Sequence, residues 1–368
     1  MLTLIGVYLY LFLYSALLSL VLIPVMRKIA LKYGVIAVPK KDRFHEQPTP
    51  LLGGVAIITA FYFTIGIHLV CIKLGLPVVN YYVKELMPYC VGALRNTGKL
   101  SAILGGGVLL FLLGLIDDLT VLGAKRKFFF ELAVGIFLYA IDVRITVFPY
   151  GFLNFFATVM WVVVITNAFN LLDNIDGLAA GVAGIAACML LIFCILGGQV
   201  LIAMLLVVFI GAVLGFLRYN YSPASIFMGD SGSLFIGFFM STVTIMSTFY
   251  YDNGASIVPI VAPLMVLSVP IYDTLSVIAI RLKNRQSLFV GDKNHFSHRL
   301  LRIGMTTREA VTYIYVVGLS TGIGALSLFH APLFSQYALL IQTILLIMLL
   351  HHLKNVKHKN NNKKEGAS

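Results

Sequence analysis

Five aspartates border very hydrophobic segments in settings punctuated by glycine: Asp117 and Asp118 in GLIDD, Asp173 and Asp176 in NAFNLLDNIDG, and Asp230 in FMGDSGS. Carboxylates are costly beside a membrane. A group of them points to a divalent metal and a phosphorylated substrate, because hard cations take oxygen ligands and share them with phosphates. Asp117 and Asp118 end an apolar run, where adjacent helical side chains project about 100° apart. One can therefore reach a metal while the other meets a second ligand. Two carboxylates at a helix C-terminus also oppose the macrodipole, which Lys125, Arg126 and Lys127, or a bound Mg²⁺, would relieve. The plain alternative is a helix end that faces water.

Asn167, Asn170 and Asp173 are spaced three apart, and Asp176 lies three beyond. One helical face, or its unwound continuation, can present all four to metal, phosphate or sugar hydroxyls. The alternative is a capped helix end closed by Gly177. Around Asp230, the small residues Gly229, Ser231, Gly232 and Ser233 permit close backbone approach, and a helix starting there favours an anion. Asp230 as an N-cap is the simpler reading. Phe227 either stacks on a base or anchors at the membrane interface. In the basic stretch RLKNRQSLFVGDKNHFSHRLLRIG, His295, His298 and Arg299 have a spacing suited to a pyrophosphate. No cysteine or third nearby ligand completes a zinc site there.

The elements that must position these residues are membrane spans, since 60% of the 368 residues are hydrophobic, 11% are charged and the mean hydropathy is +0.95. The expected fold is an all-α, polytopic integral membrane protein. Runs of about 20 apolar residues cross a bilayer as helices, and eleven are read, near 2–26, 52–74, 101–119, 128–143, 152–169, 178–196, 199–217, 231–250, 256–280, 310–329 and 333–352. The fourth is the shortest and contains Glu131. With the N-terminus outside, 22 of the 27 Lys and Arg fall on the inner side, as the positive-inside rule requires. The net charge of +12 then reflects topology and anionic lipid, with no need for nucleic acid.

The first run lacks a basic leader and reads as a retained span. Residues 1–353 form a single transmembrane catalytic domain, 75–100 the one sizeable outer loop, and 354–368 a polar, disordered cytoplasmic tail. Cys71 and Cys90 lie towards the outer face, but a helical Cys71 argues against a disulfide. No internal repeat of the transporter kind is visible. HEQPTPLLGG, GLIDD, NAFNLLDNIDG, YNYSPASIFMGDSGS and GDKNHFSHRL all fall on the cytoplasmic side, where soluble nucleotide substrates are available.

Together these motifs resemble the polyprenyl-phosphate N-acetylhexosamine-1-phosphate transferases, the membrane family with MraY-like, WecA-like and TagO-like members. The resemblance covers roughly residues 1–310 and rests on PTPLLGG, the DD pair, the NxxNxxDxxDG row, FMGD and the histidine-bearing loop, all in family order. It implies that undecaprenyl phosphate attacks the β-phosphorus of a UDP-sugar, most simply UDP-GlcNAc, giving a polyprenyl-pyrophosphoryl-sugar and UMP and starting cell-surface glycan synthesis. Mg²⁺, with Mn²⁺ as a substitute, would bridge the pyrophosphate. The resemblance implies Asp230, with Asp173, as metal ligands and Asp117 as the base or placing group for the lipid phosphate. Asp118 would assist there, and Asp173 and Asp176 would line the catalytic centre with Asn170. Asn220 and Phe227 match nucleoside contacts; His295, His298 and Arg299 would hold the sugar pyrophosphate. The partners implied are a UDP-sugar, a polyprenyl phosphate lipid and the bacterial inner membrane, with a homodimer left open and no nucleic acid.

Ser297 stands where WecA-like members usually carry a histidine, and the run of adjacent histidines typical of MraY-like members is missing. The first departs from the WecA-like pattern and implies altered sugar contacts; the second, with an eleventh span and an inner C-terminus, points to the WecA/TagO branch over a peptide-bearing sugar substrate. A transporter is the rival of a different class. For it, Asp273 in PIYDT, the clearest aspartate inside a span, would line a pathway; a structural hydrogen-bonding role is its alternative.

Overall fold

The computed structural model describes residues 2–37, 48–74, 97–120, 122–247, 257–287, 295–328 and 331–348. Most of the outer loop, Cys90, the start of HEQPTP, residues 288–294 and the tail lie outside the described residues. The chain divides into two compact units, Met1–Thr248 and Phe249–Ser368.

The first unit contains α1 (Leu2–Tyr33), a ribbon of β1 (Ile36–Ala37) and β2 (Thr49–Pro50), α2 (Gly53–Lys73), α3 (Thr97–Thr120), α4 (Ala124–Ala140), α5 (Gly151–Leu172), α6 (Leu178–Leu196), α7 (Val200–Asn220) and α8 (Gly229–Met246). The second contains α9 (Val258–Val266), α10 (Ser268–Lys283), α11 (Phe296–Arg302), α12 (Thr307–Ser327) and α13 (Leu333–Met348). Seven of the described helices are long and apolar enough to cross a membrane, or eight if α9 and α10 form one span. The chain is thus an all-α, multi-pass membrane protein. The other three of the eleven expected runs are α4, α8 and α13, which are shorter or more polar. α9 and α10 are bent by 77°, where a continuous span was expected. Pro270, in the first turn of α10, explains the break, because it removes a backbone donor and crowds the carbonyl of Val266, four residues earlier.

Burial follows the logic of a membrane protein. On α1, Ile5, Leu9, Leu13, Leu17 and Val21 are exposed at four-residue intervals, a stripe suited to lipid. The opposite face carries Ser15 and Ser19, whose hydroxyls donate to Val208 O and Ala212 O of α7, both at 2.8 Å. Association inside a bilayer lacks a hydrophobic drive, so small residues and such interhelical bonds hold helices together. α8 is the central helix of this unit, packed by α2, α3, α5 and α6. That position explains its polarity: Ser231, Ser233, Ser241 and Thr242 are buried against other helices and not against lipid.

At the other end of α3, Lys99 donates to Asp142 at 2.6 Å and Arg144 lies 2.8 Å from the same carboxylate. The Lys99 hydrogen bond holds the Asp142 carboxyl below its usual range. Cys71 is a free thiol within α2.

Candidate active site at the helix ends of the first unit

The sequence puts the start of α2, the end of α3, the start of α4, the end of α5 and the start of α8 on one side. The structure joins them by hydrogen bonds. The ribbon pairs Ile36 with Pro50 and Ala37 with Thr49, which delivers PTPLLGG to the FMGD segment. There Phe227 N–H donates to Pro50 O at 2.8 Å, Gly53 N–H to Phe227 O at 2.9 Å and Gly54 N–H to Met228 O at 2.8 Å. The backbones approach so closely that a Cβ on Gly54 would run into Gly232, and one on Gly114 of α3 into Asp230 O.

Asp118 spends both carboxylate oxygens on the start of α8. Oδ1 accepts from Asp230 N–H at 2.7 Å and Oδ2 from Ser231 N–H at 3.0 Å. The first amides of a helix have no partner within it, and a carboxylate there also meets the positive end of the dipole. Asp118 thus caps α8 from another helix, and Asp230 is held by its backbone with its side chain left for other work. Gly229 makes the turn possible with φ +73°.

Asp117 points into the same corner. Its Oδ1 accepts from Leu122 N–H at 2.6 Å and its Oδ2 from Lys127 Nζ at 3.0 Å. Lys127 also donates to Asp230 Oδ2. One ammonium, from the first turn of α4, therefore bridges two carboxylates separated by more than 100 residues in the chain. One turn on, the fully buried Glu131 accepts from Asn167 Nδ2, tying α4 to α5. Next along α5, Asn170 Nδ2 donates to Ser233 Oγ at 2.9 Å, linking the asparagine row to the first turns of α8.

The rest of that row serves the α7–α8 connection. Asp176 Oδ2 accepts from Ala224 N–H at 2.9 Å. Asn220, 2% exposed, accepts from Gly177 N–H and donates to Ile226 O, both at 3.0 Å. This geometry gives Asn220 a structural task at the base of the site. Asn220→Ala leaves a buried donor and acceptor unpaired, at about 1–3 kcal/mol each, and a lower unfolding temperature in detergent is the expected result. Asp173, the C-cap of α5, and Phe227 are both half-buried.

The histidine-bearing residues belong to the second unit. Asp273 of α10 accepts from His295 Nδ1 at 2.7 Å and from Phe296 N–H at 2.6 Å. Arg299 donates to Ser276 Oγ at 3.0 Å and lies over the rings of Tyr272 and Phe296. His295, His298 and Arg299 are all buried, on and just before α11. The His295 and His298 rings are 6.1 Å apart in an edge-on arrangement. Asp273, whose place inside a span fitted a transport pathway, instead has both oxygens committed to these bonds.

The structure brings Asp117, Asp118 and Asp230 together. Lys127, expected with Lys125 and Arg126 to relieve the helix-end carboxylates, does meet Asp117; its bridge to Asp230 and the buried Glu131, which marked only a weak span, were not foreseen. Among the described residues, no three His, Cys, Asp or Glu side chains form a metal-binding group. The donor chemistry nonetheless fits Mg²⁺ at Asp230, a hard oxygen donor that already holds one cationic group, the Lys127 ammonium. Mg²⁺ commonly uses one or two carboxylates and completes its shell with water and substrate phosphate.

Residues 100–248, from α3 to just past α8, match glycosyl transferase family 4. Over 348 residues the chain is 34% identical to a Bacillus subtilis (strain 168) protein named probable undecaprenyl-phosphate N-acetylglucosaminyl 1-phosphate transferase, covering 92% of this chain and 90% of the relative. It is 32% identical over 335 residues to a Mycolicibacterium smegmatis decaprenyl-phosphate N-acetylglucosaminephosphotransferase, covering 83% and 79% of the two chains. An Escherichia coli (strain K12) undecaprenyl-phosphate alpha-N-acetylglucosaminyl 1-phosphate transferase is 28% identical over 320 residues, covering 82% and 78%. Its helix-end aspartates, its membrane fold and these relatives agree: the chain belongs to glycosyl transferase family 4, the polyprenyl-phosphate N-acetylhexosamine-1-phosphate transferases.

Proposed function

We propose that the protein transfers GlcNAc-1-phosphate from UDP-GlcNAc to undecaprenyl phosphate, on the cytoplasmic face of the bacterial inner membrane, giving undecaprenyl-pyrophosphoryl-GlcNAc and UMP. The observation that carries this reading is the Asp117–Lys127–Asp230 bridge, set at a helix-end cluster bordered by lipid-facing helices. The names of the relatives support the sugar and the lipid.

In the proposed reaction an oxygen of the lipid phosphate attacks the β-phosphorus of the sugar nucleotide. A new P–O bond forms, and the bond from that phosphorus to the UMP oxygen breaks. Asp117 takes the proton of a singly ionised lipid phosphate, or places the fully ionised one. Lys127 offsets the carboxylate charge beside which the phosphates must sit, and Asp118 keeps Asp230 in place through the backbone. Asp230, with Asp173, would hold Mg²⁺, which when bound neutralises charge on the pyrophosphate. Asn170, Asp176 and Phe227 serve the nucleotide side, and His295, His298 and Arg299 bind the donor's pyrophosphate.

Purified protein, undecaprenyl phosphate and a panel of radiolabelled UDP-sugars test this. UMP release and a labelled lipid with UDP-GlcNAc, both lost on chelation of Mg²⁺, are expected. A labelled lipid only with the UDP-MurNAc-pentapeptide would favour the MraY-like alternative. Sugar uptake by proteoliposomes without UMP would favour transport.

A further inference from the structure

Asp273 has no part in the reaction as assigned so far, yet it is 2% exposed and grips two successive residues of the histidine-bearing segment. One oxygen takes the Phe296 amide, the first of α11, so Asp273 caps that helix from α10. The other takes His295 Nδ1. An ionised carboxylate is an acceptor only, so this contact demands a hydrogen on Nδ1. That leaves Nε2 as the nitrogen available to a ligand, a carboxylate–imidazole arrangement that sets tautomer and ring orientation together.

The next turn of α10 braces the next turn of the segment. Ser276, whose hydroxyl donates to Asp273 O at 2.9 Å, accepts from Arg299. Tyr272 packs edge-on against Phe296, with ring centres 5.7 Å apart. Three residues within little more than one turn of α10, Tyr272, Asp273 and Ser276, therefore hold His295, Phe296 and Arg299. A cap alone would need one of these contacts. The grip on an imidazole nitrogen has no capping purpose.

We infer that Asp273 is a positioning residue for the transfer reaction: it holds His295 through Nδ1–H and aims Nε2 at the donor pyrophosphate, where a proton-bearing Nε2 donates to an anionic oxygen. This rests on the reading of His295 as a donor-binding group. When Nε2 also carries a proton and donates to a phosphate oxygen, the Asp273 carboxylate offsets the imidazolium charge in a buried setting. Asp273→Asn separates the two roles. Its amide oxygen can still accept from Phe296 N–H, whereas its NH₂ opposes the hydrogen on Nδ1 and favours the Nε2–H tautomer.

The test uses the full chain in detergent with ¹⁵N-labelled histidine, the His295 signals being assigned by their loss in His295→Ala. Wild type is expected to show a hydrogen-bearing Nδ1, and Asp273→Asn a hydrogen-bearing Nε2. Turnover with UDP-GlcNAc is expected to fall roughly 10–100-fold in Asp273→Asn, the usual scale for losing the carboxylate behind a working histidine. In a His295→Ala background the same change should cause no further loss, since residues acting as a unit are not additive. An Nε2–H tautomer in wild type, an unmoved tautomer in Asp273→Asn, or additive losses would each overturn the proposal alone. Unchanged turnover in His295→Ala would overturn it together with the assignment of His295.

Discussion

Asp230→Asn is expected to lower turnover by about 10³-fold or more while the protein still inserts and unfolds near its normal temperature. The size follows from losing a preorganised charge at the phosphoryl centre, where even a single neutral donor is worth about 10²–10³. Retention of the fold follows from which atoms of Asp230 do structural work. Asp118 holds its backbone N–H, which asparagine keeps, whereas its carboxylate meets Lys127. Asp117→Asn should behave alike, because its Oδ1 bond to Leu122 N–H can pass to the amide oxygen. Lys127→Met should differ from both. It removes the cation between two carboxylates and should cost stability as well as turnover. Release of UMP, thermal unfolding and the amount of membrane-inserted protein, measured side by side, check all three; full activity in either aspartate variant would sink the assignment.

Gly229→Ala should instead remove the site by collapsing its frame. At φ +73° an L side chain costs roughly 1–2 kcal/mol, and the added Cβ would lie 2.5 Å from Asp118 Oδ2. The carboxylate cannot stay there. Moving it forfeits two hydrogen bonds to a charged group, at about 1.5–3 kcal/mol each, and exposes the orphan amides of α8. A loss of about 4 kcal/mol or more is expected, with turnover lost as Asp230 shifts. Thermal unfolding distinguishes this outcome from that of Asp230→Asn. A Gly229→Ala protein with native stability would show that Asp118 does not hold α8.

Much of this arrangement was legible in the chain. Composition alone required a helical membrane protein, because no other fold satisfies backbone groups across so many apolar runs except a closed barrel. The charge pattern led to the expectation that the motifs share one side, and their residue types to that of phosphate and metal chemistry. Pro270, in the first turn of α10, was visible too, and the 77° break beside it shows that its local cost outweighed the continuous hydrophobicity that made 256–280 read as one span.

Which groups do which job was not legible, since bonds between distant helix ends depend on packing. Asp117 and Asp118 are neighbours of one type, yet their side chains leave α3 in different directions: one meets an ammonium, the other the backbone of α8. Asn220, expected from the resemblance to contact the nucleoside, gives its amide to Gly177 and Ile226. Lys127 was one of three cations expected near Asp117 and Asp118, and only the packing of α4 singled it out and carried it to Asp230 as well. Sequence determined the membrane fold and the family's kind of chemistry, because hydrophobicity and residue type act on each segment separately. Tertiary structure alone decided the partners, because a hydrogen bond needs two groups within about 3 Å, and only packed helices bring residues a hundred positions apart that close.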